Sequence, residues 1–204
     1  MDPFYYYTIE QPSMAEFKDR GSKFFAFAYP AKDIDSCKKI VAQLKKEHGK
    51  AVHHCLAYRL GVDGSTYRVS DDGEPAGSAG RPILGQIDSK GLTNVLVVVV
   101  RYFGGTLLGI PGLINAYKTA TALALQLSPI IKKPIEIPYE LSFDYHQMNE
   151  VMLLVKQYNC SVVEHSAQLF IQLHIGIPKN RLDEVLEKLG NLSAVSFKTT
   201  IKLE

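Results

Sequence analysis

The sequence lacks the features that mark secreted, membrane-spanning or disulfide-bonded proteins. Its three cysteines are odd in number and widely spaced, and they form no paired motif for zinc or redox chemistry. They are therefore predicted to be reduced thiols in a reducing compartment. The longest aliphatic run, Val95 to Val100, is far shorter than the roughly 18 apolar residues of a membrane-spanning helix. Because the start, MDPFYYY, also has no basic and apolar leader, we expect a cytoplasmic protein with no membrane partner.

A strong charge of either sign is absent as well. The 204 residues carry a formal net charge of +2, and 46% of them are hydrophobic. Such a chain can bury a real core and can hold one large or two small domains. Since the overall field is weak, any contact with nucleic acid must come from a local basic patch.

A domain boundary is predicted near Pro129. The stretch LSPIIKKPIEIP contains prolines at 129, 134 and 138, which exclude a continuing helix. Beyond it the hydrophobic pattern changes to a period of two residues, which is typical of a strand. We therefore predict domains at residues 1–129 and 130–204.

The C-terminal domain has the pattern of a ferredoxin-like fold. Alternation from Ile135 to Phe143 predicts a strand, and Asp144 with Gln147 predicts the start of a helix. The remaining pattern predicts strands at 161–165 and 168–175, a helix from Leu182 that ends at Gly190, and a strand from Val195 to Leu203. This βαββαβ order is the ferredoxin-like unit, which by itself fixes no function. The histidines at 146, 165 and 174 are far apart in the sequence and suggest no catalytic cluster.

The N-terminal domain mixes strands and helices, so the whole chain is predicted to be a two-domain α+β protein. Strands are predicted at 23–29, 53–60, 65–70 and 94–101, and helices at 34–47 and 113–127. The unbroken valines of the strand at 94–101 indicate burial on both faces.

Lysines cover one side of the predicted helix at 34–47. At about 100° per residue, the apolar side chains share one face, and the opposite face carries Lys38, Lys39, Lys45 and Lys46. One interpretation is an ordinary solvated face. The alternative is a basic stripe that follows the phosphates of a nucleic acid.

An acidic, glycine-rich run, VSDDGEPAGSAGRPIL, follows the strand at 65–70. A calcium loop is excluded because the alternating acidic pattern is missing, and Asp71 and Asp72 would point apart if the strand continued through them. A hydrolytic or phosphoryl-transfer site would need a base or nucleophile, for which His53, His54 and Cys55 are the candidates. No sequence feature places those three near Asp71. A turn whose acidic side chains cap backbone amides is the favoured interpretation.

A second glycine cluster, VVVVRYFGGTLLGIPG, matches neither the dinucleotide-binding fingerprint nor a P-loop. Arg101 is predicted to form an ion pair with the acidic run or to bind a ligand phosphate. Tyr102 and Phe103 are either core side chains or base-stacking groups, and Gly104 and Gly105 permit close backbone approach. Because unpaired charge beside buried strands would be costly, we expect Asp71, Asp72 and Glu74 to lie close to Arg101.

Four segments together resemble the signature of the IMPACT family, small proteins linked with translational control. They are AVHHCLAYRL, SDDGEPAGSAGRPIL, VVVVRYFGGTLLG and GLINAY. The resemblance covers residues 17–127, and the tail resembles the second domain of bacterial members. Two positions depart from the family pattern. Ser78 replaces the usual threonine but keeps its hydroxyl, whereas Pro111 replaces the more frequent glycine and removes an amide donor from any anion-binding nest.

The resemblance implies a first domain like the second domain of a small-subunit ribosomal protein and a tail like the last domain of elongation factor G. Both of those proteins act on ribosomal RNA. We therefore expect a non-catalytic protein that binds RNA, the ribosome or a ribosome-associated protein and modulates translation, with no cofactor or metal and no DNA partner. The alternative is a magnesium-dependent enzyme that acts on a phosphorylated small molecule or nucleotide. The expected binding residues are Asp71, Asp72, Glu74, Ser78, Arg101, Tyr102, Phe103, Gly104, Gly105, Lys38, Lys39, Lys45 and Lys46.

Overall fold

The computed structural model describes residues 2–167 and 171–200 and divides the chain into two compact units of mixed α/β structure. One unit comprises residues 6–133, and the other comprises the described residues from 134 to 200 together with residues 2–5. This contact-based division falls between Lys133 and Pro134, close to the predicted domain boundary at Pro129, which itself stays a prediction.

The first unit is built on a five-stranded antiparallel sheet. In chain order the elements are β1 (Tyr5–Ile9), β2 (Ser13–Asp19), β3 (Ser22–Pro30), α1 (Ile34–Glu47), β4 (His53–Leu60), β5 (Thr66–Ser70), α2 (Gly80–Ser89), β6 (Val95–Tyr102), α3 (Gly109–Gln126) and β7 (Ile130–Pro134). The large sheet has the order β2-β3-β6-β4-β5, with antiparallel neighbours throughout. β1 and β7 form a separate two-stranded sheet.

The central strand β6 is buried on both faces, as its unbroken valines predict. Val95, Val97 and Val99 pack in the cluster that contains the buried residues of α2 and α3. The alternate residues, Leu96 and Val98 among them, pack in the cluster that contains Cys37 and Leu44 of α1. The sheet therefore separates two apolar layers, one beneath α1 and one beneath α2 and α3.

α1 has the predicted bounds, and interactions at its two ends explain where the helix begins and ends. The Asp33 side chain accepts a hydrogen bond of 2.7 Å from the Ser36 amide, which caps the first turn. Lys45 and Lys46 lie in the last turn, where cations interact favourably with the helix dipole.

Two elements beside the acidic run differ from the prediction. α2 was not predicted, because its first turn contains Pro82 and its middle contains Gly85. Its amphipathic packing, with Ile83 and Ile87 fully buried, overrides that low propensity. α3 begins at Gly109 and not at Leu113, since Pro111 falls in the first helical turn, where proline is tolerated.

The second unit has the predicted βαββαβ order. Its elements are β8 (Glu136–Phe143), α4 (Met148–Gln157), β9 (Ser161–Ala167), β10 (Ile171–Pro178), α5 (Leu182–Gly190) and β11 (Val195–Thr199). The antiparallel sheet has the order β11-β8-β10-β9. Its core includes Leu141, Phe143, Val151 and Leu173. The predicted strand positions Gln168, Ile201 and Leu203 lie outside the described residues.

Across the described residues, no helix is both long and apolar enough to cross a membrane.

Candidate functional site

The acidic loop, residues 71–74, connects the end of β5 to the turn that precedes α2. Asp71 accepts hydrogen bonds from the amides of Gly77, Ala79 and Gly80, at 2.8, 3.0 and 2.8 Å. Burial alone would raise the pKa of Asp71, but these bonds outweigh burial and lower the pKa below its usual range. Ala79 itself has no capping side chain for α2. Asp71 therefore caps the N-terminus of α2 from a distance, and the predicted amide-capping role is confirmed.

Asp72 points away from Asp71, as expected for adjacent residues at a strand end. Its Oδ2 accepts a 2.7 Å hydrogen bond from the His54 amide, and its Oδ1 forms a 3.0 Å ion pair with Lys45. Burial raises the pKa of Asp72, but the bonds from His54 and Lys45 overcome this and lower it. The backbone at Asp72 is left-handed, with a φ of 44°, and these bonds hold that strained turn.

Glu74 is the buried centre of the site. Its Oε1 accepts hydrogen bonds of 2.7 Å from both Arg101 and the Tyr117 hydroxyl, and only 3% of its side chain is exposed. Tyr117 lies on the buried face of α3. Burial is the main cause that raises its pKa, so the phenol stays protonated and donates. The guanidinium of Arg101 also lies 3.4 Å from Ser22 Oγ. The ion pair thus ties the acidic loop to β6, α3 and β3.

Of the three carboxylates expected close to Arg101, Glu74 forms an ion pair with it. Asp71 and Asp72 bind other partners, because the turn at Asp72 and Gly73, both with positive φ, directs their side chains to α2 and α1. The contact between Glu74 and Arg101 is confirmed.

The candidate base and nucleophile residues lie closer to the acidic loop than the sequence indicated. His53 Nδ1 is 2.8 Å from the Asp72 carbonyl oxygen, so that nitrogen donates, and Cys55 Sγ is 2.9 Å from the Asp71 carbonyl. Burial raises the pKa of Cys55 to about 12. A thiol with that pKa is not a ready nucleophile. Within the described ranges, no three His, Cys, Asp or Glu side chains converge in a geometry that could hold a metal ion.

The residues after Arg101 serve packing first. Tyr102 lies edge-on to Phe25 at 5.8 Å between ring centroids, and its hydroxyl is 2.9 Å from His48 Nδ1. Phe103 is 48% exposed, and the Arg101 guanidinium lies 5.6 Å from its ring centroid. Tyr102 is therefore largely a packing residue, whereas Phe103 remains accessible.

Three other residues of the predicted site, Gly104, Gly105 and Ser78, shape the local backbone. A side chain at Gly104 would collide with the backbone of Gly21 and Ser22, so the close approach expected at this glycine is observed. Gly105 adopts a φ of 87°. Ser78 is fully buried, and its hydroxyl donates to the Pro75 carbonyl at 2.6 Å.

A pocket of about 330 Å³ opens above the Glu74 ion pair. His53, Glu74 and Arg101 form its polar part, and its apolar lining includes Phe103 and Leu107. His53 Nε2 lies 3.9 Å from Glu74 Oε2. Leu107 is 82% exposed, so the apolar rim faces solvent.

The lysine face, which we define as Lys38, Lys39, Lys45 and Lys46 of α1, is exposed, as predicted. Lys38 pairs with Asp35 at 3.1 Å, and Lys45 pairs with Asp72. Lys38 and Lys45 also line a groove of about 400 Å³ between α1 and the strands β4 and β5. Arg68 lies on the far wall of this groove.

Sequence reasoning missed three residues of this region: Ser22, Arg68 and Tyr117. Tyr117 stands in the GLINAY segment, whose helical spacing was a usable signal, since a phenol on an apolar face needs a buried partner. Arg68 pairs with Tyr58 in the register of β4 and β5, which the sequence does not specify.

Fold and site define a mixed α/β protein of two units, in which a buried ion pair braces an acidic loop next to an exposed basic helix. The chain belongs to the IMPACT family. The model of the Impact N-terminal domain matches residues 20–125. The IMPACT family member YigZ of Escherichia coli K12 is 35% identical over 179 residues, covering 86% of this chain and 87% of that protein. YvyE of Bacillus subtilis 168 is 29% identical over 163 residues, covering 76% and 75%.

A eukaryotic relative and a solved structure extend this similarity. Protein IMPACT of Rattus norvegicus is 40% identical over 100 residues, covering 47% of this chain and 31% of its own length. A crystal structure of a hypothetical protein superposes with a TM-score of 0.77 at 30% identity, covering 98% of this chain and 99% of the other. The eukaryotic similarity thus extends over a shorter part of the chain than the bacterial similarity.

Proposed function

We propose that this chain is a non-catalytic protein that associates with RNA or the ribosome and modulates translation, and that its N-terminal domain makes the contact through the lysine face. The observation that carries the proposal is that all four lysines are exposed on one helix, with Arg68 across the adjacent groove. Exposed Lys and Arg side chains that neutralise phosphates supply most of the sequence-independent affinity for nucleic acids. In a chain with a net charge of only +2, this local patch is the feature that fits such a partner.

Family membership supports the link with translation. The sequence resemblance implies that the family acts in translational control, and that the two domains, 1–129 and 130–204, resemble domains of a ribosomal protein and of elongation factor G. The antiparallel sheet with helices on both faces and the βαββαβ tail support these two likenesses. The alternative partner for the same surface is a ribosome-associated protein, and an RNA-binding test distinguishes that partner from RNA.

The contacts of the acidic loop favour a structural role there over catalysis. A magnesium-dependent enzyme needs carboxylates that are free to bind the ion or its water ligands. Asp71 is bound to three amides, Asp72 to Lys45 and the His54 amide, and Glu74 to Arg101 and Tyr117. The loop therefore supports the binding surface from within.

Co-sedimentation with purified ribosomes at low and high salt tests the proposal. The wild-type chain should pellet with ribosomes at 50 mM salt and be released by a few hundred millimolar, about the range in which phosphate contacts weaken. Replacing the four lysines of the lysine face with glutamine should abolish pelleting at low salt. The matched control removes four exposed lysines of the second unit, Lys156, Lys179, Lys188 and Lys198, and should pellet like the wild type. Equal loss in both variants would contradict the assignment to the lysine face.

A further inference from the structure

The groove beside the lysine face is built from two unlike parts. Its floor and walls are mainly apolar, with Leu56 and Tyr58 from β4 and with Val41 and Ala42 from α1. Its rim carries three cations, Lys38, Lys45 and Arg68, against the single carboxylate of Asp72. A purely electrostatic contact with a duplex backbone needs the cations but has no use for an apolar cleft.

The sheet register places the floor and one cation on the same face. β4 and β5 pair so that Leu56 is opposite Ser70 and Tyr58 is opposite Arg68. Directly opposite residues project to the same side of a sheet. The guanidinium of Arg68 therefore rises from the edge of the apolar floor, and the Ser70 hydroxyl adds one donor and one acceptor within the groove.

Asp72 acts as a positioning residue for the opposite rim. Its Oδ1 holds the Lys45 ammonium at 3.0 Å, while its Oδ2 is fixed by the His54 amide at 2.7 Å. One carboxylate contact leaves two of the three ammonium donors of Lys45 free for a phosphate. The side chain of Arg68 forms no ion pair or hydrogen bond with the described residues that would hold it away from a ligand.

The size of the groove sets the ligand class. Its volume of about 400 Å³ lies in the range, roughly 300–1,000 Å³, that holds a small organic ligand. A nucleotide supplies one flat, largely apolar ring and one anionic phosphate. Bases inside a duplex are stacked and cannot enter a cleft, whereas those of single-stranded segments can be splayed out.

We propose that this groove is a subsite for one unpaired RNA nucleotide, with the base against Leu56, Tyr58 and Ala42 and the phosphate between Lys45 and Arg68. The inference rests on the proposed function and deepens it, because it states that the lysine face selects single-stranded over double-stranded RNA. The Lys39 and Lys46 side chains do not line the groove, so they contribute only sequence-independent attraction.

A variant that fills the groove tests the contact with the base separately from the contacts with the phosphates. Ala42 is exposed and lines the groove, so Ala42→Phe fills the cleft without removing a charge or a core contact. Gln43, the next residue, is exposed and outside the lining, so Gln43→Phe is the matched control. Binding to a fluorescent ten-nucleotide single-stranded RNA should weaken about ten-fold in the first variant only, as for loss of one stacked base. Binding to a blunt duplex of the same sequence should be unchanged in both, and thermal melts confirm that each variant folds.

The cations are tested with matched lysine pairs. Lys38→Gln with Lys45→Gln should reduce the preference of the protein for the single strand over the duplex, whereas Lys39→Gln with Lys46→Gln should weaken binding to both RNAs alike.

If Ala42→Phe and Gln43→Phe bind the single strand equally, the nucleotide subsite is overturned while ribosome pelleting can still support the proposed function. If Ala42→Phe loses ribosome pelleting but keeps RNA binding, the groove holds a protein segment and the inference is likewise overturned. If the wild type binds neither RNA nor ribosomes, both proposals fail together.

Discussion

In the acidic loop, Glu74 leaves 3% of its side chain exposed, whereas Lys38 on the lysine face leaves 68% exposed. The buried charge of Glu74 is bound by Arg101 and Tyr117, so its interactions are made within the fold. The exposed lysines form at most single surface ion pairs, which are worth about 0–1 kcal/mol. Charges of the first kind hold the protein together, and charges of the second kind remain free to bind another molecule.

The largest effect on stability is expected at Glu74. Replacing Glu74 with glutamine leaves the Arg101 guanidinium buried without its counter-charge, and breaking such a pair costs about 3–5 kcal/mol. Urea unfolding measures the loss. Glu16→Gln, which removes the exposed pair with Lys18, is the control and should change stability by less than about 1 kcal/mol. A Glu74→Gln protein as stable as the wild type would remove the ion pair from its central structural role.

The neighbouring aromatic residues Tyr102 and Phe103 also differ in burial. Tyr102→Ala removes the edge contact with Phe25 and the bond to His48, so we expect a loss of about 2 kcal/mol, below the range for a fully buried ring. Phe103→Ala removes a ring that is 48% exposed and should cost less than about 1 kcal/mol. Thermal melting compares the two variants. Melting temperatures in the reverse order would show that Phe103, and not Tyr102, belongs to the packed core.

The Asp71 carboxylate should make the stability of the fold depend on pH. Its pKa is lower in the folded than in the unfolded chain, because the amides of Gly77, Gly80 and Ala79 stabilise its charged form against the effect of burial. Its contribution is therefore fully present above the unfolded pKa, near 3.8, and is lost as pH falls through the lower folded pKa. Asp71→Asn should cost about 1 kcal/mol at neutral pH and flatten the loss of stability in acid. Asp72 still contributes in acid, so the flattening should be partial. The control Asp144→Asn replaces an exposed carboxylate that makes no side-chain cap bond, and it should leave the loss of stability in acid unchanged.

The smallest effect on stability is expected at the lysine face. Replacing its four lysines with glutamine should change the free energy of unfolding by no more than about 0.5 kcal/mol per site, because all four are exposed and form at most single surface ion pairs. Urea unfolding of the quadruple variant checks this. A loss of several kcal/mol would mean that these lysines stabilise the fold, and a binding defect of the variant would then have no meaning for the surface.

Local patterns predicted the parts of the fold that local physics decides. The bounds of α1 follow from the Asp33 cap and the apolar spacing, and burial of β6 follows from its valines. α2 was missed because tertiary packing of Ile83 and Ile87 overrides the poor helix propensity around Pro82.

The site was predictable where one motif contains both partners, and for the opposite charges of Glu74 and Arg101 in two neighbouring motifs. Capping by Asp71 occurs within ten residues of the chain, but Glu74 and Tyr117 are 43 positions apart. The groove depends on the register of β4 and β5 and on the left-handed turn at Asp72. Neither feature has a signature in a single sequence, since register is set by long-range pairing.

Ultraviolet crosslinking of the wild-type chain to purified ribosomes, followed by mass spectrometry of the RNA-linked peptides, tests most directly which kind of charge meets the partner. We predict crosslinks in the peptides that contain α1 and β5, around Lys38, Lys45 and Arg68. We expect none on Glu74 or Arg101, whose side chains are buried. Crosslinks confined to residues 134–200, or to the rim at Phe103 and Leu107, would contradict binding through the lysine face.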